Sequence, residues 1–292
     1  MSMRFICIMN QPKAYIYSTN PLDCAKDKWD YGLLKETFDR NDIEEVVVNA
    51  IPESERGFVV IPGKGNAGKE QQISEELNKI NRLVLFITGD EENLFDVKQI
   101  KHNNCSIWIQ YPTLKHERYN KLPIGVPQHL KDNLPEYTNK VNDICFAGQI
   151  THQRRQQLAY VMPTIQKSIY KPTDGFAKGS TPKEYYQDLI SSKIVPAPAG
   201  VVSIDSFRLF EAIEMMCVPI ADTINSKGDK DKFYNLVFGN DFPIPKTDNW
   251  KKLQDIVDEI KDNYPKNMHQ IVCWWLKFKR DFANRIMREV YE

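Results

Sequence analysis

The sequence predicts an α/β protein built from two doubly wound, mostly parallel sheets in tandem and closed by a long C-terminal helix. Three observations predict it. Short β-rich runs alternate with helical ones in the first half, a Pro-rich polar stretch interrupts them, and the alternation then restarts. Short apolar strands between helical segments indicate a parallel sheet covered on both faces. At 292 residues and 41% hydrophobic content, the chain has the length and apolar surface for two domains.

In the first half the expected strands are Phe5 to Met9, Glu45 to Asn49, Phe58 to Ile61, Leu83 to Thr88 and Ser106 to Ile109. Lys69 to Ile80 reads as a helix, with Ile73, Leu77 and Ile80 on one side. Pro112, Pro123, Pro127 and Pro135 then break the pattern, and the polar run Asn133 to Lys140 is the expected linker. The predicted domains are 1–138, 139–265 and a closing helix, 266–292.

The second half reads Asp143 to Ala147 as a strand, Gly148 as a turn and His152 to Met162 as a helix. Lys167 to Tyr170 is a strand, Pro182 to Ser191 a helix, and Ile194-Val195 a strand before the turn Pro196 to Gly200. Ser206 to Met216 is a helix and Val218 to Ala221 a strand. Thr247-Asp248 is the expected cap of a helix from Trp250 to Ile260. From Asn267 to Tyr291, Ile271, Trp275, Phe278, Phe282 and Ile286 form one apolar stripe.

Composition narrows the function. Lys plus Arg and Asp plus Glu both number 39, which excludes a polybasic nucleic-acid binder but leaves room for a local basic groove. No run approaches the roughly 18 apolar residues of a membrane span, and the start is too short for a signal peptide. A cytoplasmic protein is expected. The six cysteines and five histidines are scattered, indicating neither a disulfide frame nor a zinc site.

Gly63 to Lys69 matches G-x-x-x-x-G-K between a strand and a helix. A nucleotide triphosphatase loop requires Ser or Thr next, to hold magnesium, and here Glu70 stands there. An ATPase or kinase using Lys69 is an alternative. The preferred reading is a flexible glycine loop whose Lys64 and Lys69 face an acceptor.

The segment Leu189 to Asp222 is more informative. A strand leads through Pro198 and Gly200 to Ser206, then to a helix carrying Arg208 and Glu211 on one face, then to Val218-Pro219-Ile220. A guanidinium near a helix N-terminus suits phosphate oxygens, and a carboxylate one turn on suits ribose hydroxyls. Residue chemistry alone favours an ordinary Arg–Glu surface pair on an amphipathic helix.

With Ser192-Lys193 and Glu211-Ala212-Ile213, this segment resembles the donor-binding signature of GT-B glycosyltransferases, especially the exostosin-like group. Phe146-Ala147-Gly148-Gln149, followed by His152, Arg154 and Arg155, is similar to the opening turn of the same domain. The resemblance covers about residues 141 to 225. Met216-Cys217 departs from it, standing where the family usually has a small residue or glycine. The resemblance implies two Rossmann-like domains facing a cleft. It also implies a nucleotide-sugar donor such as a UDP-sugar, held by Gly148, Gln149, Arg154, Arg155, Ser206, Arg208 and Glu211. Arginines and helix ends would take the leaving diphosphate, so no metal is required.

Other residues take provisional places. Tyr170, before Lys171 to Phe176, is a candidate to contact the nucleotide base, and a plain turn is the other reading. Asp90, then Glu91, are candidate bases just after a buried strand, where an acidic helix cap is the alternative. Asp229-Lys230-Asp231 reads as a solvated turn rather than a metal triplet. Lys115, Arg118 and Lys121, with Lys277, Lys279, Arg280, Arg285 and Arg288, are local cations that suit a large anionic acceptor or simply solvated faces.

The expected activity is transfer of a sugar from a nucleotide sugar to an acceptor hydroxyl. Size and composition resemble bacteriophage enzymes acting on double-stranded DNA with hydroxylated cytosine. A polysaccharide or glycan acceptor and an inert sugar- or nucleic-acid-binding module are the alternatives.

Overall fold

Two parallel sheets with the same inner strand order organise the computed structural model, which describes residues 11–18, 24, 29–175 and 178–292. The strand expected at Phe5 to Met9 lies outside the described residues. The first lobe runs β1 (Lys13–Tyr17), α1 (Gly32–Arg40), β2 (Glu45–Val48), β3 (Ser54–Pro62), α2 (Gly63–Asn66), α3 (Glu70–Leu77), β4 (Ile80–Thr88), β5 (Cys105–Gln110) and β6 (Asn120–Leu122). Its strands lie in the order β2-β1-β3-β4-β5-β6, all parallel.

The second lobe runs β7 (Asn142–Gln149), α4 (Gln153–Val161), β8 (Ser168–Thr173), α5 (Pro182–Ile190), β9 (Ser192–Ala197), α6 (Phe207–Glu214), β10 (Val218–Asp222), α7 (Phe233–Phe238), β11 (Lys246–Thr247) and α8 (Leu253–Asp262). The order is β11-β10-β9-β7-β8, again parallel. The final helix, α9, is Tyr264–Tyr291. This is an α/β fold of two Rossmann-like units. In each, strand order reverses beside the first strand, opening a crevice at the carboxyl ends where ligands bind in such sheets.

The elements follow from local chemistry. Leu83 to Ile87 of β4 are all buried, as a central strand covered on both faces requires. Thr181 and Glu184 close a capping box on α5, with Pro182 in the first turn. The expected Thr247-Asp248 cap is displaced: Thr247 pairs with Asp222 in the sheet, and its hydroxyl accepts from Asn249 N at 3.1 Å. Asn249 instead caps a 3-10 turn, Trp250–Lys252, ahead of α8. Met216, the departure noted above, has φ +54, a left-handed conformation in which a glycine would be unstrained.

Helix α9 joins the lobes. Ile271, Trp275, Phe282, Ile286 and Val290 are buried in a core cluster that includes Phe58 and Phe86 of the first lobe and Phe210 of the second. Lys279, 5% exposed, bridges Glu36 on α1 and Glu214 on α6 at 3.0 and 2.7 Å. That burial corrects its expected place in a basic surface patch. Lys277 and Arg280 pair with Asp281, and Arg285 with Glu289, so this group of cations is largely neutralised.

Candidate active site

The carboxyl ends of β7 and β9 form one wall of a cleft of about 520 Å³ between the lobes. Gly148 and Gln149 end β7, and Arg155 follows in the first turn of α4. Ser206 caps α6 without a side-chain cap bond, and Arg208 lies in that helix's first turn. All five residues line the cleft.

Gly148 is needed where it stands. A Cβ there would approach Arg208 Nη2 to 2.4 Å, and the glycine has φ +150. The space admits the guanidinium, which donates to Ala147 O at 2.8 Å and lies 4.8 Å over the Phe146 ring. Arg208 Nε is buried without a protein partner. Arg155 donates to Ala199 O and Gln149 O, both at 3.2 Å. Burial, with Arg208 beside it, pulls Arg155 well below the usual guanidinium range. Two neighbouring, poorly hydrated cations of this kind favour a bound anion, whose negative charge would relieve both costs.

Arg154 belongs elsewhere, correcting the expectation that it binds donor. It is buried and bonded to Asp222 at 2.6 Å, with further bonds to Gln157 Oε1 and Asp248 O. Asp222 also accepts from Trp250 Nε1 at 2.9 Å, so this ion pair underpins the site from within the lobe.

Glu211 lines the cleft while 5% exposed. Its carboxylate accepts from Tyr185 Oη at 3.0 Å and Tyr186 Oη at 3.1 Å. Since Tyr186 donates there, its oxygen accepts from His129 Nε2 at 3.2 Å, which carries the chain across to the first lobe. Burial raises Glu211, with Arg208 and the two hydroxyls opposing. Thr173, Gly175, Lys178, Ser180 and Tyr185 complete that end of the cleft. Tyr170 is not among the lining residues: its ring stacks on Phe146, 6.4 Å between centroids.

Across the cleft stand Trp29, Glu91, Ile124 and His129. Glu91, and not Asp90, faces the opening. Asp90 is buried, and its two oxygens accept from Leu94 N and Phe95 N, each at 2.9 Å, as the cap of its own loop. Glu91 remains solvent-accessible, yet the surrounding walls push its carboxyl above the ordinary range, opposed by hydrogen bonding from Tyr111. Sequence reasoning missed Asp205, Tyr185, His129 and Trp29. Asp205 immediately precedes the Ser206 of the motif, and that adjacency was the one available signal.

The proposed acceptor residues are not brought together here. Lys64 pairs with Glu92 at 2.9 Å, Lys69 stands at the start of α3, and the Arg118 guanidinium lies over Tyr119. None lines the cleft. The glycine motif is not a phosphate loop: Gly63–Asn66 is a helical turn, with Asn66 donating to Pro62 O and Glu70 accepting from Asp96 N.

Paired α/β lobes with two clustered arginines at the second lobe's strand-order switch fit the two-domain glycosyltransferase architecture that the sequence resembles. Residues 145–292, half of the chain, match the family model described as RXYLT1 C-terminal domain. The chain belongs to that family, a xylosyltransferase-like, exostosin-type family of glycosyltransferases. No curated protein matches it. Among the described residues, no helix is long and apolar enough to cross a membrane.

Proposed function

We propose that the protein transfers a sugar from a nucleotide sugar to an acceptor hydroxyl in this cleft, with Glu91 as the base. The donor diphosphate lies against Arg155, Arg208 and the Gly148 turn, and the nucleoside extends toward Thr173 and Tyr185. Glu211, fixed by two tyrosines, retains lone pairs for ribose hydroxyls. The acceptor oxygen attacks the anomeric carbon, Glu91 takes its proton, and the sugar–phosphate bond breaks. The departing diphosphate carries away the electron pair, and the fixed guanidinium pair stabilises the added charge.

The observation that carries this reading is the Arg155–Arg208 pair facing a solvent-accessible carboxylate across one cleft. A pentosyl donor is the first choice for a xylosyltransferase-like family. The direct test is nucleoside diphosphate release from UDP-xylose and UDP-hexoses, scored with saccharide acceptors and with hydroxymethylated DNA. Release dependent on an acceptor is expected. A chain that binds UDP but never releases it from any donor would contradict the proposal. The saccharide is the favoured acceptor, because the α9 cations expected to contact DNA are largely buried or paired.

A further inference from the structure

The chemistry above leaves one buried carboxylate in the cleft without a role. Asp205 precedes α6, lines the cleft and is 4% exposed. Its Oδ2 accepts from Ile124 N at 2.7 Å and its Oδ1 from Ser206 N at 3.1 Å. Ile124 lies after β6 in the lobe that carries Glu91, whereas Ser206 caps the helix that carries Arg208. One side chain therefore fastens the base's lobe to the helix of the diphosphate receptor.

The loop holding it is closely built. Asp205 N donates to Ser203 Oγ at 3.1 Å, and a Cβ on Gly200 would meet Ser203 O at 2.7 Å. The titratable groups facing Asp205 are Glu91 from the first lobe's acidic turn, Tyr111 just after β5 and Tyr234 on α7. Burial and the Glu91 charge push its carboxyl up to about 7, against the two amide bonds.

We propose that Asp205 is a positioning residue for the transfer step, locking the lobes so that Glu91 stands at its working distance from Arg155 and Arg208. This rests on Glu91 being the base. An acceptor misplaced by about 1 Å loses on the order of 100-fold in rate, and among the described residues no other side chain joins these two backbone amides.

The test compares wild type, Asp205→Ala, Asp205→Asn and Glu91→Gln by kcat, donor KM and hydrogen exchange at the Ile124 amide. For Asp205→Ala the expectation is about a 10- to 100-fold loss in kcat, little change in donor KM, and faster exchange at Ile124. Asp205→Asn retains one acceptor, so exchange at Ile124 stays slow and most of the turnover is kept. Wild-type exchange at Ile124 in Asp205→Ala overturns the lock whatever the kinetics. A kcat loss in Asp205→Asn equal to that in Asp205→Ala, with exchange at Ile124 still slow, overturns the link between the lock and turnover. Full turnover in Glu91→Gln overturns the base assignment instead, and the exchange measurement then judges the lock alone.

Discussion

The two lobes share a strand order but treat the turn after the third strand of each sheet in opposite ways. After β3, Gly63 is packed shut: a Cβ there would meet Asp90 Cβ at 2.8 Å, and the chain winds directly into a helical turn. After β9, the turn from Pro198 to Ser206 opens onto the cleft and delivers Arg208 to the gap left by Gly148. Both turns contain glycine, and both precede helices. What separates them is where each leads: Gly63 packs against Ile87 and Asp90, whereas the helix after the β9 turn carries a cation with an unpartnered nitrogen into the space beside Gly148. Topology offers the crevice, and side chains decide whether it is a site.

The largest expected effect lies opposite the open turn. Glu91→Gln should lower kcat by about 10²- to 10⁴-fold, the usual range for a positioned base, with nucleoside diphosphate affinity unchanged. Because the carboxyl is raised, wild-type activity should be lost as pH falls through a value above that of an ordinary glutamate. A rate profile taken beside calorimetric titration of UDP checks both.

Next comes the pair of adjacent arginines that the cleft separates. Arg154→Ala strands the buried Asp222 charge and should cost about 3–5 kcal/mol of stability, seen as a lowered Tm. Arg155→Ala and Arg208→Ala should instead each weaken UDP binding by about 10- to 100-fold, the worth of a charge-assisted hydrogen bond, with smaller changes in Tm. Equal Tm losses for Arg154 and Arg155 would erase the distinction between a structural and a ligand-binding guanidinium.

The smallest effect belongs to the closed turn. Lys69→Ala, at an exposed position on the first lobe, should shift stability by no more than about 0.5 kcal/mol and leave transfer unaltered. Loss of UDP binding in this variant would reopen the phosphate-loop reading.

Much of this contrast was legible from residue order in the second lobe and little of it in the first. Gly148, Arg208 and Glu211 sit on regular elements whose period and turn residues place them at one sheet edge, and it was the resemblance to exostosin-like enzymes that linked them to a donor. The choice between Arg154 and Arg155 was not legible, since it depends on Asp222, some 68 residues away in sequence. Asp90 and Glu91 were similarly ambiguous: the amides of Leu94 and Phe95 capture one and leave the other to the cleft. Asp205 gave no periodic signal, because its partner, the Ile124 amide, is a backbone group from the other lobe. The strand Lys13–Tyr17 was passed over, although four of its five residues are buried. It is short, and it follows a Gln-Pro pair that reads as a turn.

The central claim is that the Arg155–Arg208 pair is the diphosphate receptor of a sugar-transfer site. Calorimetric titration of UDP into wild type, Arg155→Ala, Arg208→Ala and Glu91→Gln tests it most directly. The predicted result is binding by wild type and Glu91→Gln with closely similar affinity, and at least about 10-fold weaker binding by either arginine variant. Unchanged UDP affinity in folded Arg155→Ala and Arg208→Ala would contradict it.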